Sequence, residues 1–104
     1  MRKGVLEKII SLKKDRIKLA RAFIIQAKSS SPRNTGTEML ITENGDTFGT
    51  IGGGSDEKKV VEKAVELIKK GKSEKLKLTL TRKEAAEIGW VCGGQIDVFI
   101  QIIN

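Results

Sequence analysis

The stretch Gly49-Thr50-Ile51-Gly52-Gly53-Gly54-Ser55-Asp56-Glu57 joins a short β-like run, residues 47–51, to an amphipathic helix pattern that begins near Ser55. Three consecutive glycines at a strand-to-helix junction let backbone N–H groups turn toward a bound group without Cβ interference. A helix N-terminus directly behind them favours anions. A tight turn with close strand packing accounts for the same residues. The spacing matches neither the P-loop nor the dinucleotide fingerprint. Asp56 and Glu57 also occupy the positive end of the helix dipole, which works against a simple phosphate cradle.

Working outward, residues 55–70 carry the clearest helix signal, with Val60, Val61, Ala64, Val65, Leu67 and Ile68 on one stripe. Ser55 is placed to cap its start and Gly71 to serve as its C′ residue. Upstream, residues 38–42 and 47–51 flank Glu43-Asn44-Gly45-Asp46, and Asn-Gly between two apolar runs is a strong hairpin signal. Residues 19–26 include Ala20, Ala22, Phe23, Ile24 and Ile25, a near-continuous apolar run expected of a strand covered on both faces. Val5, Leu6, Ile9, Ile10 and Leu12 predict a helix over 5–14, with Lys13 and Lys14 complementing its dipole. Downstream, residues 75–81 alternate Leu76, Leu78 and Leu80 against Lys77, Thr79 and Thr81, the period of a half-exposed strand. Residues 83–88 suit one helical turn or a loop. Residues 95–103 form a last strand with Ile96, Val98, Ile100 and Ile102 on one face. The expected fold is α/β: a single domain over 1–104, with a mixed β-sheet of about five strands, a β-hairpin and two main helices packed on it.

At 104 residues and 38% hydrophobic content, the chain can build one core. Apolar runs such as Ala22-Phe23-Ile24-Ile25 fall far short of the ~20 residues of a membrane helix, and there is no signal-peptide block. A lone cysteine rules out an internal disulfide and suits a reducing cytoplasm. The formal charge of +7, from twenty Lys/Arg against thirteen Asp/Glu, favours an anionic partner only weakly, because much of it decorates helix faces and turns. The scattered aromatics Trp90, Phe23, Phe48 and Phe99 do not interleave with the basic residues as nucleic-acid binding requires. There is no histidine, so the commonest general base and the Ser–His and Cys–His pairs are excluded within the chain. Binding or carrying is expected rather than catalysis.

Three loops beside strand ends hold the candidate chemistry. Ser29-Ser30-Ser31-Pro32-Arg33 offers hydroxyls, N–H groups and a guanidinium for a phosphate or polar heterocycle, or is an ordinary surface turn. The glycine stretch is the second. Gly89-Trp90-Val91-Cys92-Gly93-Gly94 is the third: its thiol is either reactive and metal-ligating or inert and half-buried. Trp90 is either a core anchor or a surface on which a ring stacks.

In this order, Ser30-Ser31-Pro32-Arg33, then Gly36 and Met39, then Gly49 to Gly54 with Glu57, then Cys92-Gly93-Gly94-Gln95-Ile96-Asp97-Val98-Phe99-Ile100, the motifs resemble the N-terminal domain of the XdhC/CoxI family. These are accessory proteins of xanthine dehydrogenase and carbon monoxide dehydrogenase, and the likeness covers about residues 20–103. It implies a maturation chaperone that binds the molybdenum cofactor (molybdopterin) transiently, assists its sulfuration and delivers it to a molybdenum hydroxylase apo-enzyme. The alternative is an interaction module that docks to such an enzyme, or to a separate Rossmann-type subunit, without holding cofactor. The implied cofactor-binding residues are Ser30, Ser31, Arg33, Gly52, Gly53, Gly54, Ser55, Glu57, Cys92, Gly93 and Gly94, with Cys92 also the candidate metal ligand and no catalytic residue. The implied partners are the hydroxylase, a Rossmann-type subunit or a cysteine desulfurase, with a homodimer as a further arrangement; neither nucleic acid nor membrane is expected. This sequence departs from the family in two ways. Ser55 stands where relatives carry a cysteine, and a hydroxyl is a poorer ligand for a soft metal. The Rossmann-like C-terminal domain of longer relatives is absent from residues 1–104.

Overall fold

Among the described residues the hydrophobic periodicities resolve into two helices and five strands. The computed structural model describes residues 3–28, 37–51, 54–79 and 95–103. In chain order the elements are α1 (Lys3–Lys14), β1 (Leu19–Lys28), β2 (Glu38–Thr42), β3 (Thr47–Gly49), α2 (Gly54–Lys70), β4 (Glu74–Thr79) and β5 (Gln95–Ile103). The strands make one sheet in the order β3-β2-β1-β5-β4. The apolar run of β1 lies at its centre.

Alternation along the strands assigns the two faces. Ala20, Ala22, Ile24, Met39, Ile41, Ile96, Val98 and Ile100 point to one face and pack with Val60, Ala64, Leu67 and Ile68 of α2. The α2 stripe has the expected i, i+4, i+7, i+8 spacing. On the opposite face Leu19 and Leu40 pack with Ile9 and Leu12 of α1, joined by the half-buried Val5, Ile17, Phe48 and Ile103. The sheet is thus sandwiched, but unequally. The α1 cluster gathers at the end of the sheet where β1 begins and β5 finishes. Leu6 and Ile10 remain 49% and 48% exposed, so part of the predicted α1 stripe meets no partner among the described residues.

The fold class is as expected, but the sheet is antiparallel throughout rather than mixed. The cause is the reach of the α2 crossover. It carries the chain from edge strand β3 to edge strand β4, which run in the same direction with three strands between them, so no parallel pair forms. Boundaries also moved: α1 starts at Lys3 and β1 runs on to Lys28, and two shifts fall at the glycine junction. Strand β3 stops at Gly49, two residues short of the expected end, where φ is +83° and an added Cβ would stand 3.0 Å from the Glu38 carbonyl oxygen. Only glycine permits that approach at that angle. Helix α2 begins at Gly54, which puts Ser55 inside its first turn instead of at the cap.

Local chemistry ends the elements. The hairpin closes through Gly45 N–H to the Thr42 carbonyl (3.0 Å) and Thr42 N–H to the Asp46 carbonyl (2.9 Å), with Gly45 at φ +86°. Thr42 Oγ1 accepts the N–H groups of Asn44 (3.3 Å) and Asp46 (3.1 Å) and fixes the loop. Helix α2 ends in a Schellman motif: Gly71 N–H donates to Ile68 and Lys72 N–H to Leu67, both at 3.2 Å. Helix α1 ends in the same way, with Arg16 and Ile17 donating to Lys13 and Leu12 at 3.0 Å, but its left-handed residue is Arg16, at φ 58°.

Candidate functional site

Antiparallel order brings the flanks of all three motifs to one end of the sheet. Gln95, where β5 begins, pairs with Lys28, the last residue of β1, and with Thr79, the last of β4. Glu38 at the start of β2 pairs with Phe23, and Gly49 at the end of β3 pairs with Met39. The β2–β3 end is therefore set back along β1 from the β1–β5–β4 end, but it faces the same way. Helix α2 also starts there. The chain leaves and re-enters the described structure at this pole before and after 29–36, 52–53 and 80–94. Of the expected site residues, Ser30, Ser31, Arg33, Gly52, Gly53, Cys92, Gly93 and Gly94 lie outside the described residues, as do Trp90 and the expected turn at 83–88. Gly54, Ser55 and Glu57 lie in the opening residues of α2.

Glu57 has a structural task at this pole. Its Oε1 accepts a hydrogen bond from Thr50 Oγ1 and another from the Ile51 N–H at 3.2 Å. These bonds tie the segment after β3 to the start of α2 and seat Ile51, which is buried in the α2-side core. The carboxylate also lies in the region of the helix where negative charge is favoured. The glycine junction is thus held at both ends: Gly49 by its close approach to β2, and 50–51 by Glu57.

Beyond the reach of α1, the same face of the sheet extends toward this pole. It carries Arg21, Phe23 and Glu38 from β1 and β2, and Asp97 and Phe99 from β5. Arg21 Nε donates to Glu38 Oε2, and the Glu38 side chain is 2% exposed. The Arg21 guanidinium also stands 4.1 Å from the Phe23 ring centroid, within cation–π range. Phe23 and Phe99 lie 5.7 Å apart between centroids, tilted by 48°. The register of β1 against β5 shifts between Ile24 and Gln26, leaving Ile25 as the bulged residue, 41% exposed. Just past that shift Asp97 pairs with Gln26 on one side and Lys77 on the other. Asp97 is 5% exposed, and its Oδ1 has no hydrogen-bond partner. The sequence places this acid in the motif that begins at Cys92, but it was not among the expected site residues. A signal was present: Asp97 is the charged residue in the strand whose alternate positions are isoleucine and valine.

Two concavities are also present, the first of them reaching Gly49 of the glycine junction. One of about 480 Å³ sits between α1 and the hairpin, lined by Gly4, Val5, Lys8, Leu40, Phe48 and Gly49, with Lys8 Nζ 4.1 Å from the Phe48 centroid. The other, of about 430 Å³, lies at the opposite pole, where Lys13, Arg16, Lys18, Lys69 and Lys70 surround the C-terminal ends of both helices. There the cations complement two helix dipoles. Among the described residues no group of three Cys, Asp or Glu could hold a metal, and no helix is long and apolar enough to cross a membrane.

Comparison with known proteins follows the same outline. The sequence profile of the XdhC and CoxI family matches residues 12–81, more than half of the chain. An uncharacterised protein, YqeB, of Escherichia coli (strain K12) is 31% identical over 99 residues, which is 95% of this chain and 18% of that protein. A crystal structure described as a xanthine dehydrogenase from Bacillus halodurans superposes with a TM-score of 0.74 at 25% identity, covering 95% of this chain and 30% of the other. The chain therefore spans less than a third of either relative's length.

Proposed function

The chain belongs to the XdhC and CoxI family, and from that premise we propose that it is an accessory domain that binds the molybdenum cofactor and helps load it into a xanthine dehydrogenase-type molybdenum hydroxylase. The observation that carries this reading is the shared pole. Three separate motifs, far apart in sequence, have their described flanks at one end of one sheet. The residue chemistry fits the group in part. Ser30, Ser31 and Arg33, with the glycine loop, would hold an anionic phosphate. Cys92 is the one thiol of the sequence, a soft donor for a molybdenum centre or its sulfur ligands. When bound, the cofactor supplies the metal and the dithiolene; the chain's own residues bind, orient and shelter it. Sulfuration with a cysteine desulfurase, delivery to the apo-enzyme and action in the cytoplasm belong to the same proposal. The reading gives the domain no catalytic residue of its own.

Titration of the purified protein with molybdopterin, with and without the hydroxylase, tests the reading. Micromolar or tighter binding is expected, with Arg33→Ala and Cys92→Ser each weakening it about tenfold or more, the scale of a lost charge-assisted contact. Absence of binding in both conditions sinks the proposal.

A second reading has its own support: Ser55 in place of the family's cysteine, and the exposed Leu6 and Ile10 on α1. In it the domain docks to the hydroxylase or to a Rossmann-type subunit and holds no cofactor. A pull-down that recovers the partner with no pterin fluorescence after oxidation selects it.

A further inference from the structure

We propose that Asp97 is a ligand-binding residue, whose carboxylate accepts the N–H donors of a planar heterocycle held at the motif pole. The inference rests on reading that pole as a cofactor site and deepens it, by assigning the ring edge rather than the phosphate.

Buried polar atoms in folded proteins nearly always have a hydrogen-bond partner. Asp97 Oδ1 has none, and the residue is 5% exposed. Its cross-strand neighbour Lys77 is exposed and makes no ion pair with it. A carboxylate kept in this state lowers the stability of the free protein, and a bound donor relieves that penalty. Exceptions of this kind concentrate at sites where function sets the residue.

Asp97 lies two residues into β5 from Gln95, the residue that pairs with both Lys28 and Thr79 where two of the motif segments are anchored. It also lies beside the register shift at Ile25, and bulges of this kind often re-aim side chains next to binding sites. By strand alternation Phe99 shares its face, and Phe23 stands across from Phe99 at a centroid distance of 5.7 Å.

A carboxylate repels phosphate, so the phosphate of a cofactor is not its ligand. Two acceptor oxygens match an edge that presents adjacent N–H groups, as the amino-pyrimidinone edge of a pterin or a guanine does. Nearby aromatic surface suits the flat ring of the same ligand.

The test uses the full chain with three probes: molybdopterin, a free pterin lacking phosphate and dithiolene, and inorganic phosphate. Asp97→Asn is nearly isosteric, and Asp97→Leu removes the polar group. Both variants are expected to lose about 10- to 100-fold in affinity for molybdopterin and free pterin, with phosphate affinity unchanged. Neither should melt below the wild type in the absence of ligand, since an unpartnered charge has been removed. Unchanged pterin affinity in Asp97→Asn overturns the inference and leaves the cofactor reading standing. A wild type that binds free pterin but not molybdopterin, with Asp97→Asn weakening it, does the reverse. A wild type that binds neither ring overturns both. A melting temperature that drops in both variants makes Asp97 a structural residue and also overturns the inference.

Discussion

Arg16 and Gly71 do the same job under different strain. Each occupies the left-handed position of a Schellman motif, at φ 58° and 67°. At Gly71 no Cβ exists and the space around it is open. At Arg16 the Cβ crowds the following carbonyl, a penalty of about 1 kcal/mol for a non-glycine residue. Replacing Arg16 with glycine is therefore expected to stabilise the protein by roughly 0.5–1 kcal/mol, less the entropy glycine adds to the unfolded chain. Gly71→Ala should move stability by about 1 kcal/mol the other way. Urea midpoints at constant slope measure both; an Arg16→Gly variant that unfolds earlier would show that the guanidinium holds the turn together. Gly71 was legible in the sequence because glycine after a helical stripe has a mechanism behind it. Arg16 was not, since nothing in its chemistry announces a left-handed residue. Asp97 escaped for a related reason: whether an acid on a strand is solvated or buried depends on what covers that face.

At the scale of elements, the apolar stripe of α1 is wider than the surface it covers. Ile9 and Leu12 are buried against Leu19 and Leu40, while Leu6 and Ile10 stay about half exposed. Ile9→Ala should cost about 2–4 kcal/mol, the range for emptying a buried aliphatic site. Leu6→Ser and Ile10→Ser should each change stability by no more than about 0.5 kcal/mol. A large loss for Leu6→Ser in the isolated protein would mean that the flank is packed in solution. The end of α2 offers a pH test. The Lys70 hydrogen bond and the charges of Lys63 and Lys70 hold Glu66 below the ordinary carboxylate range, and Glu66 in turn raises Lys70. A lowered acid stabilises the fold above its unfolded pKa, and that contribution is lost as pH falls through its folded value. The raised lysine contributes below its ordinary pKa and loses its share as pH rises through the folded value. The pair is exposed, so its effect is small and salt-screened. Glu66→Gln should flatten the acid limb of the stability–pH curve slightly at low salt and not at all in molar salt. α2 and β5 were readable from their clean periodicity, and β2 from the Asn44-Gly45 turn signal beside it. The early stop of β3 was not, because it depends on how closely Gly49 approaches the carbonyl of Glu38 on the neighbouring strand.

At the scale of the whole molecule, the position of the basic cluster decides what the net charge of +7 means. Sequence showed strands and helices in the right order but not that α2 would span the sheet from edge to edge, because strand order depends on long-range pairing that local patterns do not encode. Once the order is β3-β2-β1-β5-β4, the motif flanks fall at one pole and the basic cluster of Lys13, Arg16, Lys18, Lys69 and Lys70 at the other. The ten residues of β1 run between them, roughly 30 Å at ~3.3 Å per residue. That is several Debye lengths at physiological salt, where screening reaches about 8 Å. Charges at the far pole therefore contribute little to an anion held at the motif pole. Lys13→Gln, Lys18→Gln and Lys69→Gln combined remove three positive charges yet should leave molybdopterin affinity within about twofold at 0.15 M salt, while the single change Arg33→Ala weakens it about tenfold. If the triple variant loses as much as Arg33→Ala, attraction is a property of the whole basic surface, and the motif pole holds no site of its own.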